Sequence, residues 1–132
     1  GVLGVSFKPN TDDVRESPAL AIIPLLQNEG ANIAAYDPVA MKEAAKHLEN
    51  VEWCKDTYEV AQNCDALVII TEWNEFRGLN LNKLSEIMKE KRIIDLRNVY
   101  KPSEMAEHGF HYLSIGRPEI KPQAIEFSRK TA

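Results

Sequence analysis

The stretch GVLGVSFKPNTDDVRESPAL at residues 1–20 predicts a buried strand, a long polar loop and the start of a helix. Strand-to-helix connections in α/β proteins are commonly about two to six residues long, and this one is clearly longer. It carries the cations Lys8 and Arg15 on either side of Asp12 and Asp13. Ligands of α/β proteins bind at the carboxyl ends of the strands, so this loop is the first candidate site.

The rest of the chain alternates strand-like with helix-like stretches. ALVII at residues 66–70 is apolar throughout, which is typical of a central parallel strand covered on both faces. The predicted strands are residues 2–7, 31–37, 51–54, 66–73, 92–96 and 110–116. The predicted helices are residues 17–30, 38–48, 56–63, 80–89 and 102–108. This alternation predicts an α/β, Rossmann-like domain with an open, mostly parallel sheet and helices on both faces.

The first helix carries recognisable end signals. Ser17 is a favourable N-cap, Pro18 suits the first helical position and Gly30 suits the C-terminal end. Pro24 lies inside the same helix, where the missing backbone donor is expected to kink or loosen the preceding turn.

The composition is ordinary for a single globular domain. The 132 residues are 44% hydrophobic and 27% charged, and the net charge of −4 argues against a general nucleic-acid binder. We find no apolar run of membrane-spanning length and no signal-peptide pattern, so we expect neither a membrane nor a nucleic-acid partner. Cys54 and Cys64 match no zinc or redox spacing, which favours a reducing, cytoplasmic location.

The domain is predicted to end before the last residues of the chain. We expect a compact domain over residues 1–116 and a polar, flexible tail over residues 117–132, which contains Pro118 and Pro122. Because the sequence opens inside a core strand, we also expect it to be a fragment of a longer protein.

The first crevice lacks the signature of a dinucleotide site. A dinucleotide-binding turn reads G-x-G-x-x-G, but GVSFKPNTDD at residues 4–13 has no second or third glycine. Asp37 stands where such domains keep a ribose-binding acid, although Asp before Pro is also an ordinary turn former. Lys8 and Arg15 are better candidates, since a lysine and an arginine in one loop can bind a diphosphate. The alternative is that Arg15 pairs internally with Asp12, Asp13 or Glu16.

Other reactive or aromatic residues have simpler interpretations. Free cysteines are usually small buried hydrophobes, and we predict no catalytic role for Cys54 or Cys64. His108 and His111 are three apart, a possible metal pair, but the sequence makes no acidic or Cys partner evident and Gly109 interrupts any helix there. Three aromatic residues at strand ends could stack on a base but are more typical of core or rim: Trp53, Trp73 and Tyr100.

Five motifs give the chain a resemblance to a known family. SFKPNTDDVRESPA at residues 6–19 resembles the start of the C-terminal, UDP-binding domain of the UDP-glucose/GDP-mannose dehydrogenase family. The other four follow in the same order: AYDP (35–38), ALVIITEWNEF (66–76), IIDLRN (93–98) and YLSIGRP (112–118). The TEW at residues 71–73 is most similar to the branch that acts on UDP-glucose.

The resemblance implies a division of labour between domains. Family enzymes oxidise a nucleotide-sugar alcohol to a carboxylate with NAD, and their N-terminal domain binds NAD and holds the catalytic cysteine. The C-terminal domain grips the nucleotide of the substrate. By resemblance, Phe7, Lys8, Arg97 and Asn98 contact the UDP-sugar, and Arg15 reaches across the interdomain cleft to NAD. Some members have a second arginine at the position of Asn98.

This chain would then bind without catalysing, and none of its residues would be catalytic. Its implied partners are a UDP-sugar, an N-terminal NAD domain and a central helical region, within an enzyme that forms homo-oligomers. Two alternatives stay open at this point. One is the same domain of a GDP-mannose or UDP-N-acetyl amino sugar dehydrogenase, and the other is a stand-alone nucleotide-sensing module.

Overall fold

A computed structural model of the chain describes residues 1–122. Within that range six strands alternate with five α-helices, and one 3-10 turn spans Asn74–Gly78. The strands are β1 (Val2–Leu3), β2 (Ile33–Tyr36), β3 (Val51–Trp53), β4 (Leu67–Ile69), β5 (Arg92–Asp95) and β6 (His111–Ser114). The helices are α1 (Ala19–Asn28), α2 (Met41–Ala44), α3 (Thr57–Ala61), α4 (Leu81–Ile87) and α5 (Pro102–Glu107).

The strands form one parallel sheet in the order β3-β2-β1-β4-β5-β6. Val2 of β1 lies opposite Ala35 of β2 on one side and Val68 of β4 on the other. The strand order therefore reverses between β1 and β4, as in doubly wound nucleotide-binding folds. The predicted Rossmann-like sheet is confirmed, and the reversal marks the crevice where such folds place their ligands.

Helices cover both faces of the sheet, as predicted. Val2 and Leu3 are fully buried but belong to opposite cores, because successive strand residues point to opposite faces. Ile23 of α1 packs on the Val2 side, and Leu84 of α4 and Met105 of α5 pack on the Leu3 side. Each face of the central strands is thereby removed from water.

Every strand and helix is shorter than the sequence predicted. The largest differences are in β1, in β4, which spans Leu67–Ile69 where residues 66–73 were predicted, and in α2. β1 ends at Leu3 because Gly4 has a φ of +91° and leaves the strand. A Cβ at Gly4 would lie 2.5 Å from the Cβ of Thr71, so only glycine permits this close approach. The helix predicted over residues 38–48 is confined to α2, since the backbone before it is held in a turn by Asp37.

The end signals of α1 are close to those predicted. Pro18 is the N-cap residue, and the hydroxyl of Ser17 accepts from the Ala19 N–H at 3.2 Å, so the start is displaced by one residue. At the other end Gly30 has a φ of +95° and donates to the Gln27 carbonyl at 3.0 Å. The helix continues through Pro24.

Part of the predicted tail lies against the sheet. Ile120 forms an antiparallel bridge with Tyr112, with N–H···O distances of 2.8 and 2.9 Å. Arg117 donates from Nε to the Ser114 hydroxyl at 2.8 Å. The remainder of the predicted tail, residues 123–132, lies outside the described residues. No helix in residues 1–122 is long and apolar enough to cross a membrane.

Candidate functional site

The loop between β1 and α1, residues 4–18 and here the first loop, is anchored by a carboxylate from another strand. Asp37 follows β2 and is fully buried. Its Oδ2 accepts from the Val5 N–H at 2.8 Å and from the Ser6 N–H at 3.0 Å. The indole N–H of Trp73 also reaches this oxygen, at 3.1 Å, and lies 3.0 Å from the Ser6 hydroxyl. The start of the loop is therefore tied to β2 and to the segment after β4.

The second oxygen of Asp37 shapes the turn before α2. Oδ1 accepts from the Val39 N–H at 2.9 Å and from the Ala40 N–H at 2.8 Å. Five donors in all contact the two oxygens of Asp37, which is more than the about four acceptor directions that a carboxylate offers. No capacity is left for a ribose hydroxyl, so Asp37 serves as a turn former and loop anchor, and the geometry excludes the ribose role.

The first loop is compact in its backbone and open in its side chains. The Phe7 N–H donates to the Asp13 carbonyl at 2.7 Å, and the Ser6 hydroxyl donates to the Lys8 carbonyl at 2.9 Å. Phe7 is 42% exposed, unusual for a large apolar residue. Lys8 is exposed and forms no ion pair within residues 1–122. A fixed backbone thus presents one ring and one ammonium to solvent.

Arg15, in the same loop, is paired with Asp13. Its Nε and Nη2 lie 3.0 Å from the two carboxylate oxygens, in a bidentate arrangement. These hydrogen bonds lower the pKa of Asp13 to about 2. The Arg15 side chain is nonetheless 87% exposed, and exposed ion pairs are weak, so the guanidinium is accessible to a competing anion. The internal pairing considered from the sequence is confirmed with Asp13, and the contact with NAD stays a prediction.

The loop between β5 and α5, residues 96–101 and here the second loop, is also anchored by a buried carboxylate. Asp95 accepts from the Arg97 N–H at 3.2 Å and from the Tyr100 N–H at 3.0 Å. The Tyr112 hydroxyl donates to it at 2.6 Å and accepts from Nη2 of Arg117 at 2.7 Å. Burial, reinforced by the hydrogen bond to Asp95, raises the pKa of Tyr112.

The predicted substrate residues of the second loop make protein contacts. Arg97 donates from Nε to the Ile70 carbonyl at 2.9 Å and lies 3.8 Å from Glu72, with 33% of its side chain exposed. Asn98 has a φ of +53°. Its amide donates to the Ile115 carbonyl and accepts from the Ile115 N–H, both at 2.9 Å. The structure thus brings Arg97 to the carboxyl ends of β4 and β5, and both polar groups of Asn98 are already used.

The remaining candidates are structural. Burial raises the pKa of Cys54 to about 11 and also raises the pKa of Cys64, so both thiols stay protonated at neutral pH. His108 bonds the Glu104 carbonyl, and His111 bonds Glu119 at 2.6 Å. Residues 1–122 contain no group of three side chains placed to hold a metal. Trp73 and Tyr100 are buried and bonded to protein acceptors, which leaves neither ring free to stack on a base.

A cavity lies at the opposite ends of the strands from the two loops, here called the amino edge of the sheet. It measures about 890 Å³ and is lined by the amino ends of β1 to β4. No lysine or arginine lines it, whereas Glu52 and Asp65 do. An anionic ligand is therefore favoured at the carboxyl ends of the strands, here called the carboxyl edge of the sheet, where Lys8, Arg15 and Arg97 lie.

The fold and the exposed cations Lys8 and Arg15 define a class, a Rossmann-like domain with a candidate anion site where the strand order reverses. The chain belongs to the UDP-glucose/GDP-mannose dehydrogenase family, and residues 1–102 match the UDP binding domain of that family. It is 53% identical over 118 residues to a UDP-glucose 6-dehydrogenase of Rhizobium meliloti, covering 89% of this chain and 27% of that protein. It is 47% identical over 121 residues to one of Bacillus subtilis, covering 91% and 26%.

Solved structures agree with this assignment. A UDP-glucose dehydrogenase of Pyrobaculum islandicum is 33% identical with a TM-score of 0.70, covering 86% of this chain and 24% of that one. An NDP-N-acetyl-D-galactosaminuronic acid dehydrogenase of Methanosarcina mazei is 30% identical with a TM-score of 0.76, covering 88% and 24%. The chain thus spans about a quarter of the length of the relatives it matches.

Proposed function

We propose that this domain binds the UDP portion of UDP-glucose at the carboxyl edge of its sheet. The observation that carries the proposal is the first loop. Its fixed backbone exposes Phe7 and the next residue, Lys8, whose ammonium forms no ion pair within residues 1–122. The family of this chain and the UDP-glucose 6-dehydrogenases among its relatives support UDP-glucose over GDP-mannose or a UDP-N-acetyl amino sugar.

The proposed contacts follow from charge and exposure. Lys8 supplies a mobile point charge to the diphosphate, and the guanidinium of Arg97, fixed by the Ile70 carbonyl, supplies a second cation with a set direction. Phe7 offers an apolar face to the nucleotide-sugar. Asn98 contributes by holding the second loop to Ile115, and any contact with the substrate would be made from that fixed position.

We further propose that the domain works within a longer, cytoplasmic, homo-oligomeric UDP-glucose 6-dehydrogenase. That enzyme would oxidise UDP-glucose to UDP-glucuronate with two NAD, and a separate domain would bind NAD and supply the catalytic cysteine. In this arrangement Arg15 would exchange Asp13 for NAD, because its guanidinium is almost fully exposed. The 132-residue chain, mixed with UDP-glucose and NAD, is expected to produce no NADH absorbance above a buffer control.

Ligand titration tests the binding proposal. UDP added to the isotope-labelled chain should shift backbone resonances in the first loop, with an affinity in the high-micromolar to millimolar range, about −4 to −6 kcal/mol. GDP is the matched control for the base and inorganic diphosphate for the charge, and both should bind more weakly. Equal affinity for UDP and GDP would contradict uridine recognition, and shifts confined to the amino-edge cavity would contradict the site.

A further inference from the structure

We propose that Asp37 is a positioning residue that holds the first loop in the conformation that binds the ligand. A buried carboxylate here replaces the glycine-rich turn of dinucleotide-binding domains. The inference deepens the proposed function, since it assigns the origin of the loop's shape and therefore of UDP binding at Lys8. Asp37 itself is fully buried and would not touch the ligand.

The Asp37 carboxylate accepts hydrogen bonds from the backbone at the point where the sheet hydrogen bonding of the first strand ends. Gly4 still donates to the Tyr36 carbonyl at 2.9 Å, as a continuing parallel ladder requires. The next two donors of the chain, the N–H groups of Val5 and Ser6, go to Oδ2 of Asp37. A buried N–H without an acceptor costs about 1–3 kcal/mol in general. The side chain of Asp37 thus satisfies two donors that no strand neighbour accepts, and it fixes where the first loop leaves the sheet.

The anchor also binds the loop from the other side of the crevice. Trp73, which follows β4, donates its indole N–H to both Asp37 and the Ser6 hydroxyl. Thr71 donates to the Ser6 carbonyl at 2.7 Å. Ser6 is therefore held from β2 and from β4 at once, and Lys8 follows it by two residues.

This arrangement differs from a glycine-rich turn in how it presents positive charge. A glycine turn brings the pyrophosphate against the exposed amino end of the first helix. In this protein the loop is longer, and the Ser17 hydroxyl already accepts from Ala19 at the start of α1. The groups that would bind an anion are instead the side chains of Lys8 and Arg15. Their positions depend on the conformation of the loop that carries them.

The negative charge of Asp37 is compatible with an anionic ligand nearby. Five N–H donors surround it: those of Val5, Ser6, Val39, Ala40 and the Trp73 indole. These five donors satisfy the acceptor capacity of the buried carboxylate without a cation. No lysine or arginine is needed for neutralisation, so Lys8 stays available.

Asp37→Asn tests the proposal because it keeps the size of the side chain but offers a donor where an acceptor is required. Amide hydrogen exchange at Val5 and Ser6 should accelerate by about tenfold or more, and the Kd for UDP should rise by about tenfold, which corresponds to about 1.4 kcal/mol. Asp12→Asn is the matched control, since it removes the same charge from an exposed residue of the same loop. It should change neither measurement.

Two results would overturn the positioning role: unchanged exchange at Val5 and Ser6 in Asp37→Asn, or faster exchange with an unchanged Kd. If Asp37→Asn does not fold, exchange in the wild-type chain still tests the anchor, because the Val5 and Ser6 amides should exchange much more slowly than the amide of the exposed Asn10 in the same loop. Equally fast exchange of all three amides would also refute the proposal. Absence of UDP binding by the wild-type chain would instead refute the proposed function, because exchange reports the anchor without any ligand.

Discussion

The first and second loops are anchored alike but use their side chains differently. Each is held by a fully buried carboxylate, Asp37 or Asp95, at the carboxyl edge of the sheet. In the first loop the anchor binds backbone N–H groups, and the Lys8 side chain is left unpaired within residues 1–122. In the second loop Arg97 and Asn98 already bond to Ile70 and Ile115.

The difference assigns the loops different contributions to one site. Free, exposed groups can form new hydrogen bonds with a ligand at little loss, whereas groups already bonded to protein must exchange one partner for another. We therefore expect the first loop to supply most of the binding free energy and the second loop to supply a rigid wall. The two anchors also differ in their distance along the sequence from the loop that each holds. Asp95 directly precedes its loop, whereas Asp37 holds a loop more than 30 residues earlier.

Replacing either anchoring aspartate, Asp37 or Asp95, with asparagine should give the largest change in the free energy of unfolding. Asp37→Asn should lower the free energy of unfolding by about 2–4 kcal/mol, because donors surround both oxygens and each buried donor left unpaired costs about 1–3 kcal/mol. Asp95→Asn should cost less, about 1–2 kcal/mol, since the amide oxygen can still serve Tyr100 and Tyr112. Urea denaturation measures both, and an equal or reversed order would contradict the contrast between the anchors.

Tyr112→Phe removes one contact of the second anchor, Asp95, and leaves its carboxylate in place. Loss of the hydroxyl removes a donor to Asp95 and an acceptor for Arg117, so stability should fall by about 1–2 kcal/mol at neutral pH. The pKa of Tyr112 is raised in the folded protein, so the unfolded chain loses this proton first, near pH 10. Stability should therefore fall as the pH rises above about 10, and less steeply in the variant. Identical slopes would exclude a linked proton at Tyr112.

Arg15→Ala should have the smallest effect on stability. The ion pair with Asp13 is exposed, so the Tm of the chain should stay within error of the wild type at neutral pH. The pKa of Asp13 is lowered to about 2, so what the pair contributes is present above about pH 4 and is lost as the pH falls toward 2. In the longer dehydrogenase that we propose contains this domain, the same variant should raise the KM for NAD, and an unchanged KM would refute the cleft-bridging role.

Much of the fold could be predicted from the sequence because its periodicity and end signals are local. The alternation of apolar strands with helix formers gave the sheet and its two covered faces, and Gly30 marked the end of α1. Lys8 and Arg15 were predicted as ligand contacts from their place after the first strand, and those contacts stay a prediction. The position of Asp37 was noted too, but its inward orientation depends on donors that are distant in the sequence.

The missed features share that dependence on distant partners. Asp95, Tyr112 and Arg117 form one network only because β5 and β6 are neighbours in the sheet. Nothing in their spacing alone separates them from surface residues. A helix was predicted over residues 38–48, but its late start at Met41 was missed for a related reason. The Asp37 carboxylate accepts from two backbone donors and overrides the helix propensity of the residues after Pro38. The usable signal was an Asp at the end of a strand, which occurs in both AYDP and IIDLRN.

The most direct test compares UDP titrations of the wild-type chain, Lys8→Ala and Asn98→Ala by NMR. One charge-assisted hydrogen bond is worth about 1.5–3 kcal/mol, so Lys8→Ala should raise the Kd about 10- to 150-fold. Asn98→Ala should raise it by about threefold or less, because the Asn98 amide is already bonded to Ile115. A Lys8 variant that binds UDP as tightly as the wild type, or an Asn98 variant that loses more affinity than the Lys8 variant, would contradict the account.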